Sequence, residues 1–423
     1  MGARETDGGV PFLVNADFGK FWSGLTLSEI GARGVSLVFP LIAVLTFGAS
    51  PSEVGYLNAA QFAPALIVPL LAGVWLDRRA RRPSLLLVHF GSMTALLAVA
   101  ILMATGRPAI ELLFAAAFVV GLFNAISGIS TQAYVPALVR PAELVTANSR
   151  IQMTYAMVQV AAPGLGGVVT GALGGVKAVV LFLLTYAAAG LCVLAIRHRE
   201  VVDPPAGRTG VLSMIKEGMW FIARSRTLRV LTLQGTWINL FDQMVLTLWV
   251  LFALSAFDFS PELYGLTMAV SGVGAIVGSM VARAVGARLG TRRSIITGVG
   301  VGSVVLLVLP LVSGSKPLLV AVSVLVFFGY SFGHTLSNIF VVSTRQVITP
   351  NELLGRVTAT YRFAAFGAIP IGAALGGLAG EWLGLRTALL VGVIGLVVGW
   401  VVCSILLPSD LDEARRAAAE PGR

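Results

Sequence analysis

Apolar residues run in long unbroken stretches along this chain, and polar residues collect in the gaps between them. The stretches do not alternate, and Gly and Pro recur inside them, so the pattern fits membrane-spanning helices rather than the alternating strands of an outer-membrane barrel. A helix crossing the hydrocarbon core needs about 20 apolar residues. Twelve segments meet that length, at 17–47, 52–76, 84–104, 109–137, 144–174, 176–196, 228–257, 262–287, 293–313, 317–344, 352–380 and 383–407.

Landmarks recur between the two parts of the chain. Ser50, Pro51 and Gly55 return 210 positions later as Ser260, Pro261 and Gly265, and Gly166-Gly167 returns at the same offset as Gly376-Gly377. Leu144, in Pro141-Ala142-Glu143-Leu144, returns 209 positions later as Leu353 in Pro350-Asn351-Glu352-Leu353. Such symmetry marks a duplicated transporter. The expected organisation is an N-terminal tail 1–16, a six-helix bundle 17–196, a linker 197–227, a second six-helix bundle 228–407 running in the same direction, and a tail 408–423. In the linker, Val211, Leu212, Ile215, Met219, Trp220 and Ile222 stand among basic residues, the pattern of a helix lying on a membrane surface.

Composition agrees with burial in lipid: 57% of residues are hydrophobic and 12% charged, against roughly 25% charged in soluble domains. The net charge of +10 raises the class of nucleic-acid binders, but the placement of the charges argues against it. Arg78, Arg79, Arg81 and Arg82 follow helix two, Arg283, Arg288, Arg292 and Arg293 surround the helix eight–nine loop, and six arginines lie between 197 and 229. The opposite loops hold little beyond Arg107, Lys177, Lys316 and Arg386. This positive-inside bias places both termini and the linker in the cytoplasm. The first sixteen residues lack the basic start and apolar run of a cleavable signal, so helix one is expected to direct insertion. Cys192 and Cys403 sit in apolar helices without a CxxC or His neighbour, and read as packing residues. No metal site, cofactor or catalytic set is expected. His89, His198 and His334 are widely separated, and no G-x-x-x-x-G-K-[ST] sequence exists to hold ATP, so energy must come from a gradient.

Gly73-Val74-Trp75-Leu76-Asp77-Arg78-Arg79-Ala80-Arg81-Arg82 resembles the helix two–three signature of the major facilitator superfamily, with Ala80 in place of its second Gly. Asp77 can meet the positive N-terminal end of another helix while the arginines hold the cytoplasmic boundary. The resemblance implies a breakable cytoplasmic gate of Gly73, Asp77, Arg78 and Arg82, with Arg288, Gly290, Arg292 and Arg356 from the second half. Ala287 stands at the second half's acid position, so the latch is expected to be asymmetric. Ala162-Pro163-Gly164-Leu165-Gly166-Gly167 resembles the helix-five signature of proton-coupled antiporters, whose Pro163, Gly166 and Gly167 permit close packing and bending; generic helix packing is the alternative.

Further stretches are similar to the macrolide-efflux-like and transmembrane secretion effector-like exporters of that superfamily. They are Pro136-Ala137-Leu138-Val139 through Ala147-Asn148, Thr344-Arg345-Gln346 through Pro350, Leu354-Gly355-Arg356-Val357, Tyr361-Arg362-Phe363 and Pro370-Ile371-Gly372. The resemblance implies the major facilitator fold, a bacterial cytoplasmic membrane and a monomer. The superfamily's usual helix-four Arg is missing, since 118–131 contains no basic residue.

An ionisable group at mid-bilayer costs about 2.5–3.5 kcal/mol on insertion scales, so it asks for a reason. Glu29 and Arg33 in helix one and Asp242 in helix seven are the clearest cases. At a rise of 1.5 Å per residue, Glu29 lies about 18 Å and Asp242 about 21 Å along their helices. Subtracting the repeat offset puts Asp242 three residues from Glu29 on one helical face, so both acids are expected to face one central cavity. Burial favours a neutral carboxyl and a nearby cation a charged one, which couples a proton to cargo. The alternative for Glu29 is a pair with Arg33 one turn away. Trp22, Asn124, Gln132, Gln152, Gln159, Gln234, Trp237, Asn239, Gln243, Asn338 and Arg362 are expected to line the cavity, with His334 nearby; packing roles compete for each.

These readings converge on a secondary transporter exporting amphipathic small molecules, such as drugs or secondary metabolites, in exchange for protons across a lipid bilayer. The alternatives are a siderophore exporter or lysophospholipid flippase on the same scaffold, and a non-transporting membrane sensor.

Overall fold

A computed structural model describes residues 15–66, 68, 81–105, 109–140, 143–198, 211–409 and 411. The described chain is helical, in α1 (Ala16–Phe47), α2 (Pro51–Phe62), α3 (Arg81–Ala104), α4 (Ile110–Leu138), α5 (Leu144–Leu173), α6 (Gly175–Leu194), α7 (Val211–Arg224), α8 (Arg226–Ser255), α9 (Pro261–Val305), α10 (Val308–Leu311), α11 (Lys316–Ile348), α12 (Asn351–Leu383) and α13 (Leu385–Leu406).

Ten of the described runs are long and apolar enough to cross a membrane. One of them, Pro261–Leu311, holds 51 residues, more than twice the length a single crossing needs. Gly290 divides it: φ 75° and ψ 173° break the helical backbone there, a conformation that glycine adopts without a Cβ penalty. Counted as two limbs, Pro261–Leu311 brings the apolar spans among the described residues to eleven, and α2 covers the start of the sequence segment 52–76. The sequence pattern places a loop at this point, and the structure replaces it with a bend of one residue.

The repeated residues do repeated work. Ser50 and Ser260 are the N-caps of α2 and α9, and Pro51 and Pro261 are their first helical residues, where a missing N–H is harmless. Ser50 and Glu53 form a reciprocal capping box. The α8–α9 turn is pinned by the fully buried Trp249, whose ring lies 5.0 Å from Phe327 and edge-on to Phe257 and Phe259.

The halves meet through α2 against α12 and α5 against α9. Both contacts are glycine to glycine. A Cβ on Gly55 would stand 2.7 Å from the Gly377 Cα, and one on Gly167 would stand 2.7 Å from the Gly265 Cα. These four residues are two pairs related by the 210-residue offset, and their lack of side chains lets the backbones touch.

Candidate transport site

A cavity of about 280 Å³ opens inside the C-terminal half, between α8, α9, α11 and α12. Asp242 enters it from α8, and the Tyr330 hydroxyl on α11 donates to Asp242 Oδ1 at 2.6 Å. One turn further along α11, His334 stacks on Tyr330 with ring centroids 6.0 Å apart and 26° between planes, close enough to act electrostatically on the carboxylate. Asn239 lines the same wall, with its Nδ2 donating to the Ala365 carbonyl at 2.8 Å. Gln234 is buried, and its Oε1 has no hydrogen-bond partner.

The far end is basic. Arg345 of α11 and Arg362 of α12 both line the cavity. The Arg345 guanidinium lies 4.0 Å over the Tyr361 ring, a cation–π contact. Ser303, Ser337 and Asn338 add polar atoms between the two ends.

Five of the residues expected from sequence therefore share one cavity: Gln234, Asn239, Asp242, Asn338 and Arg362, with His334 beside them. Others lie elsewhere. The Trp237 indole donates to the Gly395 carbonyl at 2.7 Å and covers Gly399. Gln243 reaches Thr247 at 3.4 Å, and Asn58 of the other half reaches the same hydroxyl at 3.2 Å, so Gln243 stands near the seam between the halves.

In the N-terminal half, Trp22 donates to Thr154 at 2.8 Å, and the Tyr186 hydroxyl donates to Asn124 at 3.3 Å. Gln132, Gln152 and Gln159 are exposed. Glu29 is half-buried and Arg33 exposed, both within electrostatic reach of Tyr155. No Glu29–Arg33 ion pair within 4.0 Å occurs among the described residues. Glu29 is not among the residues lining the Asp242 cavity, all of which come from the C-terminal half. His89 is buried on α3, away from the cavity.

Of the expected gate, Gly73, Asp77 and Arg78 lie outside the described residues. Arg82 donates from Nε and Nη2 to the Val193 and Leu194 carbonyls, at 3.3 and 2.8 Å. Arg292 donates likewise to Leu407 and Ser404, at 3.1 and 2.9 Å. Arg356 pairs with Glu217 of α7, Arg288 is exposed, and Gly290 makes the bend in α9. On α5, Pro163 and Gly167 meet Gly265 across the seam, while Gly166 packs on Leu37 of α1. Tyr330, Arg345, Ser337, Ser303 and Tyr361 are the polar lining residues that sequence reasoning missed. On α11 the signal was the spacing Tyr330, His334, Asn338, Val341, Arg345, which is one helical face.

Two repeated helical halves spanning a membrane, with a polar cavity walled by helices deep in the bundle, define the class of secondary transporters. The chain belongs to the transmembrane secretion effector family of major facilitator transporters, which it matches over residues 10–421. It is 29% identical over 219 residues to the MFS-type transporter y4rN of Sinorhizobium fredii, a match spanning 50% of this chain and 53% of that one. With the MFS-type transporter YfiS of Bacillus subtilis it shares 23% identity over 419 residues, covering 92% and 93% of the two chains. Its fold is similar to that of a point variant of the nucleoside transporter NupG, with a TM-score of 0.74 at 14% identity over 94% of this chain and 100% of that one.

Proposed function

We propose that this transporter exports amphipathic small molecules in exchange for protons, with Asp242 as the proton site. The observation that carries the proposal is the Asp242 carboxylate, held by the Tyr330 hydroxyl at 2.6 Å within a mixed polar and apolar cavity. Among the described residues no cation lies within 4.0 Å of it, so its charge answers to whatever enters the cavity. One charge moved across 100 mV is worth about 2.3 kcal/mol, enough to drive concentrative export.

The resemblance to bacterial MFS-type transporters supports a bacterial cell membrane, and the basic loops and linker favour both termini on its cytoplasmic side. The paired glycines at Gly55, Gly377, Gly167 and Gly265 then close the outer end, and rocking about that seam gives alternating access for a monomer. Asp77 and Arg78 fit a gate at the opposite end.

A siderophore exporter or lysophospholipid flippase is the second reading, favoured by Arg345 and Arg362 at one end of the cavity. The test of coupling is gradient-driven export by the Glu29→Gln and Asp242→Asn variants in proteoliposomes. Loss with Asp242→Asn is expected, and undiminished export by both variants would remove the coupling assignment.

A further inference from the structure

The basic end of the cavity is unexplained by a proton site. Arg345 is only 8% exposed, yet its Nε and Nη1 have no hydrogen-bond partner. Arg362 lines the same space and lies close enough to repel it. No carboxylate stands within 4.0 Å of either guanidinium among the described residues. Two neighbouring cations, one of them buried without a counter-ion, are unfavourable unless an anion joins them.

Asp242 does not fill that role. Its carboxylate is engaged by Tyr330, and along α11 Arg345 follows His334 by 11 residues, about 16 Å at 1.5 Å per residue. The cavity is thus polarised, acidic at one end and basic at the other. Tyr361 holds the Arg345 guanidinium flat from one face, and the Tyr361 hydroxyl is itself backed by Gly235, where a Cβ would stand 2.6 Å away. A planar guanidinium fixed this way presents a fork of N–H donors matched to a carboxylate, phosphate or sulfate.

We infer that Arg345 and Arg362, positioned by Tyr361, form an oxyanion subsite that binds the acidic head of an amphipathic organic acid. Leu231, Ile238, Val299 and Phe366 offer apolar surface for its body. The volume of about 280 Å³ sits at the lower edge of the roughly 300–1,000 Å³ typical of ligand pockets, so the subsite takes the head and the adjoining part of the cargo. This inference rests on the transport reading and narrows its cargo to acids.

The test is equilibrium binding of a matched pair, 1-naphthaleneacetate and 1-naphthaleneacetamide, to the purified full-length protein by calorimetry. The wild type is expected to bind the acid at least about tenfold tighter than the amide, the scale of one charge-assisted hydrogen bond. Arg345→Gln and Arg362→Gln should each lose that preference while still binding the amide, which also reports that the fold is intact, and Arg345→Lys should keep part of it. Equilibrium binding is measured without a gradient, so a failure of proton coupling leaves this result unchanged. Equal affinity for acid and amide in the wild type, no saturable binding of the acid, or an undiminished preference in Arg345→Gln would overturn the inference.

Discussion

Arg82 and Arg292, 210 positions apart, make the same contact in the two halves: each guanidinium donates through Nε and Nη2 to carbonyls at the C-terminal end of its half's last helix. The acceptors Leu194 and Ser404 are themselves 210 positions apart. A cation at a helix C-terminus meets the negative end of the macrodipole and satisfies carbonyls that have no partner inside the helix. Sequence resemblance points to these arginines as gate residues; the structure shows them fastening helices within a half.

Each clamp should therefore act on stability. Arg82→Ala and Arg292→Ala are each expected to destabilise their half by roughly 1 kcal/mol, the scale of a charged group at a helix end, lowering Tm by about 2–4 °C. Thermal unfolding of the two variants in detergent checks this, and unchanged melting in both would remove the clamp.

The glycine seam should tolerate no side chain. A Cβ at Gly265 would stand 2.8 Å from the Gly167 Cα and 2.9 Å from the Pro163 carbonyl oxygen, so Gly265→Leu must push α5 and α9 apart. Transport is expected to fall by about tenfold or more, since packed interfaces switch between discrete arrangements and do not stretch. Spin labels at Leu173 and Leu266 should report a longer separation in the variant than in the wild type.

The Arg356–Glu217 pair joins α12 to the linker helix α7 in an exposed setting. Exposed pairs are worth about 0.2–1 kcal/mol, so a double-mutant cycle should give a coupling below about 1 kcal/mol. Gly218 makes the closer fit: a Cβ there would lie 2.6 Å from the Arg356 carbonyl oxygen and 2.3 Å from the Thr360 hydroxyl. Gly218→Val is expected to accelerate proteolysis within the linker more than Glu217→Ala does.

Much of the fold is legible in the sequence because its signals are local. Ser-Pro at 50–51 and 260–261 announces helix starts, and glycines at the common offset announce close approaches that the structure realises as Gly55–Gly377 and Gly167–Gly265. The acid half of the cavity is legible too, since Asp242 in an apolar run asks for a reason. The basic half is not. Arg345 stands three residues from the end of α11, where an arginine reads as an interfacial anchor, and only its neighbours on α12 show that it turns inward. The repeat offset relates Glu29 to Asp242 in sequence, but Glu29 is not among the residues lining the Asp242 cavity. Those residues all come from the second half.

The Tyr330–Asp242 bond makes a separate expectation. Tyr330→Phe removes the donor at 2.6 Å without changing the shape of the ring, so the fold should survive. Gradient-driven export should fall by about tenfold, the scale of one hydrogen bond to a charged group, and should fall less than in Asp242→Asn. Transport assays of the two variants side by side check the order.

The most direct test of proton-coupled export is uptake of fluorescent amphiphiles into inside-out vesicles carrying an imposed proton gradient, comparing wild type with Asp242→Asn. The panel should contain acidic, neutral and cationic compounds. The expected result is uptake that collapses with an uncoupler and is absent in the variant. Uptake that persists in Asp242→Asn, or that ignores the gradient in the wild type, would contradict the assignment of Asp242 as the proton site.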